Sequence, residues 1–87
     1  MSIIGERIAD ARKSKNLTQK ELGDLVDVSE STIARFEKNI REPRVSTLLS
    51  LAKVLDVHYE YLMGISDKTN LSNNDIKKDI IRLLNKL

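Results

Sequence analysis

Hydrophobic residues recur at helical spacing through most of this chain, and polar or turn-forming residues separate the segments that carry them. Ile4, Ile8 and Ala11 are spaced by four and three residues, with charged residues between them, which predicts an amphipathic helix over residues 3–15. Comparable patterns predict helices over residues 18–26, 29–38, 45–55 and 58–63. No segment alternates apolar and polar residues as a half-buried strand does, so the predicted fold is all-α.

The second and third predicted helices are joined by a short turn at residues 27–29. Thr18 and Glu21 have the spacing of a capping box at the start of the second helix, and Ser29 can cap the third. Gly23 suits a position where two crossing helices leave almost no room for a side chain. Two short helices joined by such a turn form a helix-turn-helix, the motif that places its second helix in the major groove of DNA.

The apolar residues also predict which helix faces are buried. Leu22, Leu25 and Val26 give the second helix one apolar face. The fourth helix has apolar residues over so wide an arc that we expect it to be mostly buried; they are Val45, Leu48, Leu49, Leu51, Ala52 and Leu55. Pro43 lies in the loop before this helix, residues 39–44, and Gly64 ends the fifth helix.

The end of the chain carries a separate hydrophobic stripe. A polar linker, residues 67–71, divides a predicted domain of residues 1–66 from a last helix over residues 72–87. The stripe on that helix consists of Ile76, Ile80, Leu83, Leu84 and Leu87. Because a helix of this length is marginal alone in water, the stripe needs a surface to cover. Three surfaces stay open: a second copy of the chain, the chain's own bundle, or another protein such as an antirepressor or a toxin.

The composition argues against an enzyme and against a metal protein. The chain has no cysteine and a single histidine, His58, so disulfides, thiolate metal sites and histidine-based catalytic triads lack their parts. We therefore expect no catalytic residue, no metal and no cofactor. The sequence has no leader-peptide pattern and no apolar run of membrane-spanning length, so we expect a cytoplasmic protein without membrane contact.

The net charge of +2 does not by itself indicate a nucleic-acid partner. Residues 1–66 contain ten basic and ten acidic side chains. The argument for a nucleic-acid partner therefore depends on where the basic residues lie in the chain. Lys38 ends the third predicted helix, and Arg41 and Arg44 follow it closely. That is where phosphate contacts should flank a helix lying in the major groove.

The ordered residues around these helices resemble the helix-turn-helix of the phage repressors and Cro, the Cro/Xre-type family. The likeness covers residues 3–65 and is carried by Ile4-Gly5, Arg7, Ile8, Arg12, Leu17-Thr18-Gln19, Glu21-Leu22, Val28-Ser29, Ile33, Glu37, Pro43, Leu48, Leu51-Ala52, Leu55, Val57, Leu62 and Gly64. The chain departs from the family at Asp27 and Asn39, where the family usually or often has glycine. Asp and Asn tolerate left-handed backbone better than most residues, so the same geometry is expected.

The resemblance implies a five-helix bundle of the lambda-repressor type with the C-terminal helix appended. It assigns base reading in double-stranded DNA to the exposed side of the third helix, at Glu30, Ser31, Ala34 and Arg35. Contacts with the DNA backbone or minor groove are expected at Gln19, Lys20, Thr32, Lys38, Asn39, Arg41 and Arg44. The resemblance supports those of Gln19 and Arg44, and the others follow from their positions around the motif. Arg12 and Glu37 would form an ion pair that fixes the third helix against the first.

The predicted function is sequence-specific DNA binding by a transcriptional regulator of a phage, a mobile element or a bacterium. We expect a homodimer, paired through the tail stripe, on a palindromic operator with half-sites about 34 Å apart. Repression would follow from occlusion of the promoter, and activation by the same binding stays open. The alternative is a protein-interaction component such as an antitoxin, in which DNA binding is secondary.

Overall fold

Five helices form a small bundle in the computed structural model, which describes residues 3–65. They are α1 (Ile4–Ser14), α2 (Gln19–Val26), α3 (Glu30–Glu37), α4 (Val45–Leu55) and α5 (Tyr59–Met63). Each lies where the hydrophobic pattern predicts it, so the all-α prediction is confirmed for this part of the chain. Four of the helices begin one residue later than predicted. For α2 and α3 the reason is that Thr18 and Ser29 cap the helix from outside it.

The core lies where the helices meet. α1 packs against α3, α4 and α5, while α2 packs against α3 and α4. The large side chains that are less than 2% exposed are Ile8, Leu22, Ile33, Leu48, Leu51, Leu55 and Leu62. Every helix contributes at least one of them, and burying each stabilises the fold by about 1.5–3 kcal/mol relative to leaving it exposed.

Each of these five helices is followed by a left-handed residue, and only the last of the five residues is glycine. They are Asn16, Asp27, Asn39, Asp56 and Gly64, with φ between 57° and 82°. In every case the next amide donates to the carbonyl five residues earlier, at 2.9–3.1 Å. This hydrogen bond characterises the Schellman motif, so helix ends that usually rely on glycine are built here mostly from Asn and Asp.

At two glycines, α2 and α1 approach the ends of α3 more closely than a residue with a side chain would allow. A Cβ atom on Gly23 would lie 2.6 Å from the carbonyl oxygen of Val28, so α2 lies directly against the turn leading to α3. A Cβ atom on Gly5 would meet the carbonyl oxygen of Phe36 and lie 2.6 Å from that of Glu37. The start of α1 therefore lies against the last turn of α3.

Three apolar side chains that the pattern placed on buried faces are exposed instead. Leu25 is 57% exposed, and Val45 and Leu49 are 63% and 51% exposed. Since successive residues of a helix are rotated by about 100°, Leu25 lies on the side of Leu22 away from Gly23, which faces the turn. The expectation that α4 is mostly buried was also wrong. Its buried face consists of Leu48, Leu51, Ala52 and Leu55, and Val45 and Leu49 both lie to one side of it.

The predicted C-terminal elements lie outside the described residues. They comprise the linker, residues 67–71, and the helix over residues 72–87 with its stripe of Ile76, Ile80, Leu83, Leu84 and Leu87. Among residues 3–65, each helix is too short or too polar to cross a membrane.

Candidate nucleic-acid interface

Both helices of the helix-turn-helix are capped by side chains at their first turns. The Glu21 amide donates to Thr18 Oγ1 at 3.0 Å, and the Thr18 amide donates to Glu21 Oε1 at 2.9 Å, which forms the predicted capping box. Because the Thr18 amide stabilises the carboxylate, the pKa of Glu21 is lowered. The Thr32 amide donates to Ser29 Oγ at 3.1 Å. These caps fix the residues at which α2 and α3 begin.

The turn between the two helices is fixed by backbone and apolar contacts. Asp27 is left-handed, with φ of 60°, and the Val28 amide donates to the Gly23 carbonyl at 2.9 Å. The Val28 side chain is partly buried against the core. The direction of α3 relative to α2 is therefore set by this turn and by the close approach at Gly23.

One face of α3 is buried and the other is exposed, as a helix that enters the major groove requires. Ile33 and Phe36 are buried in the core. Ser31 and Arg35 are exposed and Ala34 is half-buried on the opposite side, and the exposed Glu30 begins the helix at the edge of that side. The structure thus brings the four predicted base-reading residues to one accessible surface of α3.

Thr32 lies beside that surface and belongs to the cap of α3. Its hydroxyl is 2.7 Å from the Ser29 hydroxyl, which is also 3.2 Å from the Ser31 hydroxyl. Thr32 is half-buried. Its predicted contact with the DNA backbone would therefore come from a hydroxyl that is already hydrogen-bonded within the cap.

A network around Glu37 ties α3 to α1 and α2. Arg12 Nε donates to Glu37 Oε2 at 2.6 Å, and Arg12 Nη2 donates to Glu37 Oε1 at 3.1 Å. The two side chains are 12% and 8% exposed. Arg12 Nη1 also donates to the Leu17 carbonyl at 2.8 Å. The structure therefore contains the ion pair that the family resemblance implies, and the hydrogen bond to Glu37 raises the pKa of Arg12.

Gln19 joins the same network, although a hydrogen bond between its side chain and Glu37 was not predicted. Its Nε2 donates to Glu37 Oε1 at 3.0 Å. A side-chain amide has two N–H groups, so the second can still donate to a phosphate. Gln19 is the first residue of α2, where free backbone amides favour an anion. The Glu37 network, consisting of Arg12, Leu17, Gln19 and Glu37, thus connects a predicted phosphate ligand to the end of α3.

Exposed basic side chains occur on α2 and in the segment that follows α3. Lys38, Arg41 and Arg44 are exposed in the segment that follows the helix. Lys20 is exposed on α2 and pairs with Asp24 at 3.7 Å, a surface pair that contributes little to stability. The contacts of these residues with phosphates beside a groove-bound α3 stay a prediction.

Asn39 has a contact that no hydrophobic pattern could indicate. Its Oδ1 accepts a hydrogen bond from the Gly5 amide at 3.1 Å. The residue is also the left-handed residue after α3, with φ of 58°. The sequence predicts a contact with the DNA backbone, whereas the structure places the side-chain oxygen against the start of α1. The only sequence signal was the departure from glycine at this position.

No cluster of His, Asp or Glu side chains suited to a metal ion occurs within residues 3–65. His58 is half-buried and directly precedes α5. Its carbonyl accepts hydrogen bonds from the amides of Tyr61 and Leu62, at 3.1 and 3.3 Å. The structure therefore places His58 as the residue from which α5 starts.

Comparison with known proteins links this arrangement to DNA-binding regulators. Residues 8–62 match the model of the helix-turn-helix family. The HTH-type transcriptional regulator ImmR of Bacillus subtilis is 27% identical over 73 residues, which cover 84% of this chain and 58% of ImmR. Repressor protein C2 of Salmonella phage P22 is 37% identical over 71 residues, which cover 80% of this chain and 33% of C2. The chain spans about half the length of the curated relatives it matches.

Solved structures of repressors share the fold. The P22 c2 repressor bound to a synthetic operator matches with a TM-score of 0.71 and 35% identity, over 76% of this chain and 100% of that chain. SinR of Bacillus subtilis bound to DNA matches with a TM-score of 0.64 and 33% identity, over 68% and 95%. The complex of SinR with SinI matches with a TM-score of 0.64 and 26% identity, over 91% and 75%. These matches confirm the fold of the lambda-repressor type.

Proposed function

We propose that this chain, which belongs to the helix-turn-helix family matched by its residues 8–62, binds a specific sequence of double-stranded DNA and represses transcription there. The observation that carries the proposal is the exposed side of α3. Ser29 caps the first turn of α3, and the ion pair between Glu37 and Arg12 fixes the last residue of the helix. Relatives named as repressors or transcriptional regulators support the same function.

The chemistry of the exposed side suits the edges of base pairs in the major groove. Arg35 can donate two hydrogen bonds to a guanine, and Glu30 can accept one from a cytosine amino group. The Ser31 hydroxyl can donate or accept, and the Ala34 methyl can contact the methyl group of a thymine. We assign base reading to these four residues.

Contacts with the sugar-phosphate backbone would come from both ends of the helix-turn-helix. We assign phosphate contacts on one side to Gln19 and Lys20, which begin α2, and to Thr32 in the first turn of α3. Lys38 and Arg41 are assigned to phosphates on the other side, and Arg44 to an adjacent narrow minor groove. Such contacts set the affinity and its dependence on salt, whereas α3 sets the choice of sequence.

A homodimer would double the few base pairs that one α3 can read. We propose that the predicted tail helix, residues 72–87, pairs two copies through Ile76, Ile80, Leu83, Leu84 and Leu87, so that the dimer binds a palindromic operator. Replacing Ile80 and Leu83 with glutamate should then abolish dimers in sedimentation equilibrium. A variant that remains dimeric would assign the stripe to the chain's own bundle or to another protein, such as an antirepressor or a toxin. The SinR–SinI complex is an example of a relative bound by a second protein.

The proposal implies a non-enzymatic protein that acts in the cytoplasm, where its DNA would lie. The deciding test is selection of binding sites from a random pool of duplex DNA, followed by titration of the selected duplex at two salt concentrations. We expect a palindromic motif whose half-site centres lie about 10 base pairs apart. Weak binding without any motif, controlled by salt alone, would exclude sequence-specific recognition and direct attention to a protein partner.

A further inference from the structure

Asn39 connects the end of α3 to the start of α1. Its Oδ1 accepts the hydrogen bond of the Gly5 amide at 3.1 Å. A Cβ atom on Gly5 would lie 2.8 Å from the same oxygen, so the two residues are in close contact. The residue that precedes α1, Ile3, makes no side-chain cap. Asn39 therefore supplies from across the fold an acceptor that helix starts usually obtain from a neighbouring Ser, Thr, Asp or Asn.

The backbone of Asn39 organises the segment that carries the basic residues. Because Asn39 is left-handed, with φ of 58°, the chain turns back on α3. The amides of Ile40 and Arg41 then both reach the Arg35 carbonyl, at 3.0 and 3.3 Å. The last turn of α3 and the start of the basic segment thus depend on this one residue.

We propose that Asn39 is a positioning residue for DNA binding and is not itself a phosphate ligand. Glycine could supply the left-handed backbone at this site, but only a side chain with an oxygen can also cap α1. By doing both, Asn39 fixes the carbonyl ends of α3 against the amide end of α1, an arrangement that opposite helix dipoles favour. Arg35 in α3 and Arg41 in the segment after it are then held in defined positions, with the Arg41 amide bonded to the Arg35 carbonyl. This inference rests on the proposed function for the identity of the ligand.

Asn16 provides a matched control within the same chain. It is left-handed, with φ of 57°, and it follows α1 as Asn39 follows α3. The Leu17 amide donates to the Arg12 carbonyl at 3.1 Å, the same hydrogen bond that Ile40 makes with Arg35. Asn16 is exposed, and no hydrogen bond joins its side chain to another of residues 3–65. Replacing either asparagine with glycine keeps the backbone geometry, but only the change at Asn39 removes a cap.

The first experiment uses the free protein and does not depend on DNA. Hydrogen exchange of the Gly5 amide is measured relative to that of Ile8 in the same helix. Asn39→Gly should accelerate exchange at Gly5 about tenfold, whereas Asn39→Asp, which retains an oxygen acceptor, and Asn16→Gly should leave the ratio unchanged. Unchanged protection of Gly5 in Asn39→Gly would overturn the proposed cap.

The second experiment tests positioning with a double-mutant cycle on the selected duplex DNA. Asn39→Gly should weaken binding about tenfold, while Asn16→Gly should stay within about twofold of the wild type. If Asn39 acts by positioning the segment that contains Arg41, Asn39→Gly should weaken DNA binding less in Arg41→Ala than in the wild type. The double variant should then bind at least about threefold more tightly than the product of the single losses predicts. If the two single losses of affinity multiply in the double variant, or if Asn39→Gly binds DNA as tightly as the wild type, Asn39 is not a positioning residue. Absence of DNA binding by the wild type would instead refute the proposed function and leave the exchange result intact.

Discussion

Arg12 and Glu37 form a two-point ion pair between α1 and the last residue of α3, with N–O distances of 2.6 and 3.1 Å. The same Arg12 donates to the Leu17 carbonyl, and the same carboxylate accepts from Gln19. One pair therefore fixes three helices around the surface proposed to read DNA. Because both side chains are largely removed from water, losing either partner would leave a charge without compensation.

Replacing Arg12 with methionine should lower the free energy of unfolding by about 3 kcal/mol. Arg12→Met together with Glu37→Met should cost less than the sum of the two single changes, since no charge remains unpaired. Urea denaturation followed by circular dichroism measures each value. Asp24→Asn, which removes the exposed pair with Lys20, is the control and should change stability by no more than about 1 kcal/mol. A loss in Arg12→Met as small as that of the control would contradict the structure.

Gly23→Ala should destabilise the protein by about 1–3 kcal/mol, because the new Cβ overpacks an occupied position. That atom would lie 2.6 Å from the Val28 carbonyl oxygen, which belongs to backbone and cannot rotate away. The sign of the effect is informative, since alanine in place of glycine stabilises an unobstructed helix by about 1 kcal/mol. Thermal or urea unfolding gives the value. Asp24→Ala at the neighbouring exposed position is the control.

Asn16 should tolerate glycine better than alanine, because its backbone is left-handed. Alanine at this φ is strained by about 1–2 kcal/mol, whereas glycine is not. We therefore expect Asn16→Gly to be at least about 1 kcal/mol more stable than Asn16→Ala in urea denaturation. Equal stabilities for the two variants would show that α1 does not need a left-handed residue at its end.

The sequence predicted this architecture well because its main signals are local. Ile4, Ile8 and Ala11 recur at helical spacing in α1. Thr18 and Ser29 are capping residues that directly precede the helices they start. Burial was predicted less well. The exposure of Leu25 and Leu49 depends on how α2 and α4 are rotated against their neighbours, which the apolar pattern of one helix does not specify.

The roles of individual polar residues were harder to predict. Arg12 and Glu37 were paired through the family resemblance, because 25 residues separate them in the chain and no local spacing joins them. The hydrogen bonds of Gln19 to Glu37 and of Asn39 to Gly5 were not predicted. Both are long-range contacts of side-chain amides, and their geometry exists only after the helices have packed.

Glu21 should make the stability of α2 sensitive to acid. Its pKa is lowered, chiefly by the hydrogen bond from the Thr18 amide. A carboxyl group with a lowered folded-state pKa contributes stability above its unfolded-state pKa, and that contribution is lost as the pH falls through the folded-state pKa. Glu21→Gln keeps an oxygen acceptor without titrating. The difference in unfolding free energy between wild type and variant should be constant from about pH 6 to 8 and should shift in favour of the variant between about pH 5 and 3. A constant difference over the whole range would contradict this role for the capping box.

Replacing Arg35 or Arg41 with alanine should change DNA binding in different ways, because the proposed interface places Arg35 against a base and Arg41 against a phosphate. Arg35→Ala should relax selection at one base position and cost about 1–3 kcal/mol on the selected duplex, with little loss on unrelated DNA. Arg41→Ala should weaken binding to every sequence alike and reduce the slope of log affinity against log salt by about 1. Repeating the site selection and the salt titration with each variant separates the two effects. If Arg35→Ala weakened all sequences equally, α3 would not be reading a base through Arg35. Base discrimination would then have to be sought at Glu30, Ser31 and Ala34.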